Sequence, residues 1–516
     1  MQIVVDSVTM KAIDNYTINE IGIPSLVLME RAALAVADCV KEHIVSDDKI
    51  LAICAGGNNG ADGIAAARIL KLQGYKADIL IIGDTDKCSK EFEKQINIAE
   101  NLGINIYNSV ELNEYTIIID AIFGIGLNKV VKGEYLNLIK SINNSKHTVF
   151  SVDIPSGLSA SIGKPLGDAV VANYTVTFAY NKIGLILYPG HEYAGEVIVS
   201  DIGLYRKIEE EHKCYIYDNN DLMNLPKRIS NSHKGDYGKL LVVAGSVWMN
   251  GACYLTSKAA YRMGAGLLKA VIPKENSTIM QTMLAEALIS TYESNNELSL
   301  ADKDKINQDI SWATFIVIGP GLGTNKISYD LLKLVLNNAK VPVLIDADGI
   351  NILAKMINDQ EEINEVYTDN INLLVANRLK ILKNILPKNV ILTPHLKELS
   401  RLFNIPLEKI KNNIMEVADV ITKDNSFIYV MKDARTVVAH ENSRYINVSG
   451  NSGMSTAGSG DVLSGIIASL IAQGLEPKLG AELGVYIHGL AGDIATKDKN
   501  QYSIIASDII DGLANV

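Results

Sequence analysis

Nearly throughout this chain, short runs of consecutive aliphatic and β-branched residues alternate with helix-length amphipathic segments, and no other feature limits its fold more. KILAICAGG at 49–57, ADILIIG at 77–83, YTIIIDAIFG at 115–124 and HTVFSVDIPSG at 147–157 are such runs. A strand with one wet face alternates apolar and polar residues. One that is apolar at successive positions is covered on both faces, as in a parallel sheet flanked by helices. The intervening ADGIAAARILKLQG repeats its apolar residues at three- and four-residue spacing, the mark of a helix with one buried face. The pattern predicts a doubly wound α/β fold.

A second set of strand-like runs follows residue 226: GKLLVVAGS (238–246), GLLKAVIP (266–273), FIVIGPG (315–321), VPVLIDADG (341–349), NVILTPH (389–395) and SFIYVMKDA (426–434). Between the sets lies the polar, weakly periodic EEEHKCYIYDNNDLMNLPKR. The expected boundary is therefore near 205–225, with one domain over 1–210 and another over 220–516. A length of 516 residues suits two large domains at the usual size of roughly 100–200 residues or more each. The mildly polar stretches 292–308 and 357–372 read as loops or exposed helices.

Charge and cysteine usage exclude several functions. With 48 Lys and Arg against 59 Asp and Glu, the net charge is −11, which argues against a general grip on nucleic acid or anionic lipid. A local anion pocket of backbone N–H groups remains open. Five scattered cysteines without CxxC spacing argue against a zinc site or a disulfide framework. Asp6, Lys11 and Asp14 stand where a signal peptide needs an apolar core, and no run approaches the ~18 apolar residues of a membrane span. A soluble, cytoplasmic protein is expected.

Two motif groups carry chemistry. In the first half, AGGNNGADG follows the strand ending at Cys54, with a helix expected from about Asp62. Glycines let the backbone approach a ligand, and a helix N-terminus offers free N–H groups and a positive dipole end to a phosphate. Asn58, Asn59 and Asp62 add side chains that a mere turn does not need. Asp120 and Asp153 each end a later strand, where open α/β sheets bind their ligands, and Ser156 follows Asp153 closely. Asn59, Asp120 and Ser156 are oxygen donors of the kind a hard cation prefers. In the second half, VSGNSGMSTAGSGDVLSGIIASLIAQG (448–474) leads Ala457-Gly458-Ser459-Gly460 into a long apolar helix with Asp461 in its first turn. Converging N–H groups neutralise a transferred phosphoryl group while a carboxylate takes a hydroxyl proton, so this pattern suits phosphoryl transfer.

AGGNNGADG, DAIFGIGL and SVDIPSGLSA resemble the YjeF-type epimerase domain of the bifunctional NAD(P)H-hydrate repair enzymes over about the first 205 residues. HKGDYGKLLVVAGS (233–246), GPGLG (319–323), DADGINIL (346–353), TPHLKELSRLF (393–403) and VMKDARTVVA (430–439), with GSGD, resemble the ribokinase-like dehydratase domain of the same family. The resemblance implies a Rossmann-like domain followed by a ribokinase-like one. It implies that Asn58, Asn59, Gly60, Ala61 and Asp62, the loop Gly124, Ile125, Gly126, Leu127, Asn128, Lys129 and Val130, and Tyr135 and Asp153 bind the hydrated dinucleotide. Asn59, Asp120 and Ser156 would coordinate potassium. In the second domain Ala252, Gly323, His395 and Asp461 would contact the hydrate, and Lys432, Asp433, Ala434, Arg435, Thr436 and Gly460 would bind ADP, used with magnesium. Two departures stand out: Ala61, where the family usually has glycine, and TPHLKE, where it more often reads TPHPGE.

The implied activity is repair of hydrated nicotinamide cofactors. An epimerase interconverts the C6 epimers, with Asp153 as candidate proton-transfer group. A dehydratase, with Asp461 as base, phosphorylates the S epimer's hydroxyl and expels phosphate, leaving AMP. The expected partners are the small-molecule dinucleotide and ADP, with no nucleic acid and no membrane, and a homo-oligomer is expected. Two other readings stay open on the residues alone: a ribokinase-like small-molecule kinase, and a first half that only binds. Lys234 and Asp236 read as turn or gate residues, His488 as packed or hydrogen-bonded rather than a base, and Asp346 or Asp348 as a metal holder or helix cap.

Overall fold

The computed structural model describes residues 1–45, 47–84, 88–205, 213–294, 297–360 and 371–516. They form two compact units, Ile3–Glu210 and Glu211–Val516, the latter also taking in Met1–Gln2. The expected linker lies partly outside the described residues, as do 295–296 and most of 357–372. The described chain resumes at a strand, Lys213–Ile216, which pairs in parallel with Ser443–Ile446. The CYIY run is thus part of the second sheet, its periodicity masked by the polar residues around it.

The first unit is built on a parallel sheet of seven strands in the order Ile106–Tyr107, Lys76–Ile81, Lys49–Cys54, Ile117–Ala121, Thr148–Val152, Tyr174–Phe178 and Glu196–Ser200. The chain winds outward from Lys49–Cys54 in one direction, then restarts beside it at Ile117–Ala121 and winds the other way. That reversal opens a crevice at the carboxyl ends of these two strands. The strand Ile117–Ala121 is buried at every position, as its unbroken apolar run predicts. One core lies between the sheet and the helices Ser25–Glu42 and Asn58–Leu72. A second, around Ile118, Ile139 and Val149, covers the opposite face.

The second sheet runs Leu288–Tyr292, Leu267–Pro273, Lys239–Val243, Phe315–Ile318, Val343–Ile345, Val390–Leu392, Ile428–Met431, Val437–His440, Ser443–Ile446 and Lys213–Ile216. It is parallel as far as Ile428–Met431, where a hairpin introduces two antiparallel pairings. Its own reversal falls between Lys239–Val243 and Phe315–Ile318. The helix Ser459–Ala472, apolar on nearly every side, is buried from Val462 to Ile471 and forms the centre of the core. The polar stretch after 292 includes the helix Leu300–Trp312, capped by Ser299. Among the described residues no helix is long and apolar enough to cross a membrane.

Candidate active sites

In the first unit the helix begins at Asn58, not Asp62, with Gly57 as its N-cap. Asn58, Asn59 and Gly60 therefore open its first turn, where backbone N–H groups have no partner within the helix, and Ala61 makes the first internal bond. Gly60 is required here, because a Cβ would lie 1.9 Å from the Ala55 carbonyl oxygen. Ala61 is buried and helical, its N–H donating to the Gly57 carbonyl at 3.1 Å. The methyl group that departs from the usual glycine thus packs inward rather than into the crevice.

Asp120 is fully buried and accepts from the Ser151 hydroxyl and the Ser156 N–H, both at 2.8 Å. Burial raises its pKa, against the opposing pull of those hydrogen bonds. The Ser156 hydroxyl accepts from Phe123 N–H at 2.8 Å. Asn59 lies against Gly124, its Oδ1 2.9 Å from where a Cβ on that glycine would stand. Its Nδ2 is buried without a partner. Asn59, Asp120 and Ser156 are thereby gathered around the segment 120–124. Among the described residues no three His, Cys, Asp or Glu side chains converge on a metal position. An orphaned amide beside carboxylate, hydroxyl and carbonyl oxygens does fit a hard monovalent cation, because the amide can rotate to present its oxygen.

The loop from Gly124 onward is open at Gly126 and at Asn128, Lys129 and Val130, with Ile125 and Leu127 half-buried. Tyr135, on the helix Gly133–Asn143, packs on Phe123 with ring centres 5.0 Å apart and planes tilted by 49°, and its hydroxyl rests on Gly83. Asp153 holds a left-handed backbone, φ 66°. Its carboxylate receives the Lys182 ammonium at 2.6 Å and the Thr177 hydroxyl at 3.1 Å. Lys182 has no exposed surface and donates also to Thr177 Oγ1 at 2.7 Å and the Phe178 carbonyl at 3.0 Å. Sequence reasoning missed this lysine. The available signal was a lone Lys directly after the apolar run YTVTFAY, in NKIGLIL.

In the second unit Gly458 takes a left-handed conformation, φ 88°, and caps the helix Ser459–Ala472, setting Ser459, Gly460 and Asp461 in its first turn. Asp461 is half-buried, with its pKa raised to about 7 by burial and then by Asp346 and Asp348, against the opposing Lys432. Asp346 is buried, bound by the Lys432 ammonium at 2.7 Å and the Ser464 hydroxyl at 2.8 Å. It is thus neither an open metal ligand nor a helix cap. Lys432 Nζ is 3.3 Å from where a Cβ on Gly460 would stand, so Lys432 and Gly460 line one place. Asp433 and Ala434 are exposed on the turn that continues to Thr436. Arg435 donates to the Val448 carbonyl at 2.8 Å, and the Thr436 hydroxyl to the Asp433 carbonyl at 3.2 Å.

The GPGLG loop follows the strand Phe315–Ile318. Gly321 packs on Ala252, where a Cβ would be 2.7 Å from the alanine methyl. Gly323, at φ 74°, donates its N–H to Asp348 at 2.8 Å, so Asp348 holds this loop. His395 caps the helix Leu396–Phe403: Nδ1 accepts from Lys397 and Glu398 N–H, both at 3.1 Å. The Glu398 carboxylate accepts the His395 N–H in return, at 2.9 Å. The His395 ring, pKa lowered by burial and then by Lys432, is therefore a neutral cap with Nε2 toward Glu398 at 3.3 Å. Burial raises Glu398 to about 7. His395 pairs with Lys432 through backbone bridging, which brings the two motifs together. His488 is a packed residue whose Nε2 meets Ser459 Oγ at 3.3 Å. Lys234 and Asp236 form a tight turn.

This is an α/β protein of two units, a doubly wound one with a glycine-lined crevice and a second one, on a largely parallel sheet, with an aspartate in the first turn of its central helix. The model of the YjeF-related protein N-terminus matches residues 25–184, and that of NAD(P)H-hydrate dehydratase matches 240–515. The bifunctional NAD(P)H-hydrate repair enzyme Nnr of Moorella thermoacetica is 33% identical, covering 99% of this chain and 96% of its own. An NAD(P)H-hydrate epimerase of Oenococcus oeni is 48% identical, over 37% of this chain and 92% of its own. The solved ADP/ATP-dependent NAD(P)H-hydrate dehydratase of Bacillus subtilis, co-crystallised with ATP and Mg2+, is 25% identical, covering 57% of this chain and 94% of its own, with a TM-score of 0.44. The chain belongs to the family of bifunctional NAD(P)H-hydrate repair enzymes.

Proposed function

We propose that this chain repairs hydrated NADH and NADPH in two steps, epimerising C6 in the first unit and dehydrating the S epimer in the second. The observation that carries the reading is Asp461 in the first turn of the helix Ser459–Ala472, with a pKa near 7 and Lys432 beside the same turn. Hydroxide is a poor leaving group. Asp461 takes the proton of the C6 hydroxyl as its oxygen attacks the terminal phosphoryl of ADP, while the N–H groups of Ser459 and Gly460 receive the developing charge. The ring nitrogen's lone pair then expels phosphate, and loss of a proton from C5 restores the dihydronicotinamide. Magnesium accompanies the nucleotide, as in other phosphoryl transfers. Gly323 and Ala252 shape the hydrate's place, and Lys432 to Thr436 with Gly460 hold the nucleotide.

In the first unit the turn Asn58–Asp62 and the loop Gly124–Val130 bind the dinucleotide, with Tyr135 alongside and Asp153 at the reacting ring. Potassium held by Asn59, Asp120 and Ser156 would supply positive charge to the ligand's phosphates. The test is an absorbance assay with mixed-epimer NADH hydrate, ADP and magnesium. A rise in reduced-nicotinamide absorbance that needs ADP and consumes both epimers supports the reading. A lasting phosphorylated product on a small alcohol, with no such rise, replaces it with a kinase.

A further inference from the structure

We propose that the N-terminal helix Ser7–Asn19 completes the epimerase crevice, with Lys11 binding the dinucleotide's phosphate and Asp14 serving as the acid that works opposite Asp153. The inference rests on the reading of this unit as an epimerase and adds residues outside the matched span 25–184. Val4 and Val5 pair in parallel with Asn181 and Lys182, so the chain enters the helix beside the buried lysine. Asp6 caps that helix, and Ser7 is tied to Ser161, N–H to hydroxyl at 3.1 Å and hydroxyl to hydroxyl at 3.0 Å. Met10, Ile13 and Thr17 are buried against the unit, which fixes the helix's rotation. Lys11 Nζ then comes within 3.9 Å of where a Cβ on Gly126 would stand, over the ligand loop. Asp14 lies three residues on, on the same face.

The charges around Asp14 give it a distinct task. The charges close enough to act on it are Asp153, after the strand Thr148–Val152, and Lys182; Asp14 in turn acts on Asp62 of the helix Asn58–Leu72, and Lys11 lies three residues before it on its own helix. Lys182 is committed to Asp153 at 2.6 Å, and among the described residues neither of the other two carboxyl groups forms an ion pair. Burial, then the Asp153 charge, raises Asp14 to about 6, against the pull of Lys182. Burial pushes Asp62 well above the usual carboxylate range. Asp14, the less buried of the two, is raised only to about 6 and so exchanges its proton near neutrality, as an acid catalyst must.

The step balances as follows. Asp14 gives its proton to the C6 hydroxyl, the C6–O bond breaks, and water leaves with the bonding pair as the N1 lone pair forms an N1=C6 iminium. The Asp153 carboxylate, held by Lys182, stabilises that cation. A water then adds to C6 from the other face, and its excess proton passes through solvent to the Asp14 carboxylate, which regenerates the acid.

The experiment follows inversion of purified R-NADH hydrate by the full chain without ADP, separating epimers chromatographically, in ordinary and 18O-labelled water. Asp14→Asn should lower kcat by about 10²–10⁴-fold with KM held within about threefold, and Asp14→Glu should restore part of the rate. Lys11→Gln should raise KM about tenfold with kcat kept. Wild-type kcat should fall as pH rises above about 6, because the acid form of Asp14 is the active one. Each first inversion should place one solvent oxygen at C6. Wild-type kcat in Asp14→Asn overturns the acid role. So does an Asp14→Glu variant that is folded by thermal unfolding yet as slow as Asp14→Asn. Retention of the original oxygen overturns the iminium step, and unchanged KM in Lys11→Gln overturns the phosphate contact. No inversion by wild-type protein is a different result, which removes the epimerase reading itself.

Discussion

Both crevices lie at the reversal of a parallel sheet, both are lined by glycine turns, and both contain a buried Asp–Lys ion pair. The pairs are used differently. In the first unit Lys182 binds Asp153 itself, the aspartate facing the crevice, and its other two acceptors are the Thr177 hydroxyl and the Phe178 carbonyl. In the second, Lys432 binds Asp346, and Asp461 stands near the pair without a direct cation. A carboxylate gripped by a direct cation is held in place, suited to stabilising positive charge. An unclamped one beside a like charge rises toward neutrality and becomes a proton acceptor matched to physiological pH. Where the lysine sits, one residue shell in or out, sets which of the two jobs the neighbouring aspartate can do.

Asp461→Asn should separate the two units most sharply: dehydration falls by about 10²–10⁴-fold while epimer interconversion is unchanged. Loss of both activities would mean that the units are not chemically independent. Lys182→Met should strand the buried Asp153 charge and cost about 3–5 kcal/mol of stability in the first unit, read as a lower denaturant midpoint of the transition belonging to that unit. An unshifted midpoint would show that Asp153 takes up a proton at little cost, and would dissolve the contrast drawn above. On the other side, the ascending limb of dehydratase kcat/KM should lie near pH 7, since the base is active only when deprotonated. In Lys432→Gln, which removes a charge that favours ionised Asp461, that limb should move about one unit to higher pH, on top of weaker nucleotide binding. A limb that stays in place would detach Lys432 from the titration of Asp461. The smallest effect is expected for Ala61→Gly, which loses about 0.5–1 kcal/mol of helix stability and gains no epimerase activity. A gain would mean that the methyl does reach the ligand.

Much of this was legible from the sequence because the strands are apolar at consecutive positions and the glycine turns are local. The run IIID at 117–120 specifies a buried strand ending in an aspartate, and GSGD specifies a turn and a helix start; neither needs distant partners. The helix Asn58–Leu72 begins four residues before the start that the sequence predicts. Asn, Asn and Gly are poor helix formers in isolation, and here the close approach of Gly60 to the Ala55 carbonyl overrides that tendency. The ion pairs were not legible at all. Asp153 and Lys182 are 29 residues apart, and Asp346 and Lys432 are 86 apart, so each pair exists only once the sheet has brought its strand ends together. His395 could be placed at a strand end from sequence, but its commitment to capping the next helix follows from the exchange of hydrogen bonds with Glu398.

The enclosure of Lys182 also makes it a reporter. A water-soluble acylating reagent meets accessible amines such as those of Lys76 and Lys274, while the Lys182 amine has no exposed surface and three acceptors. Its labelling rate is then set by how often the first unit opens, so mass spectrometry of that one peptide would clock the opening of the native protein without any denaturant.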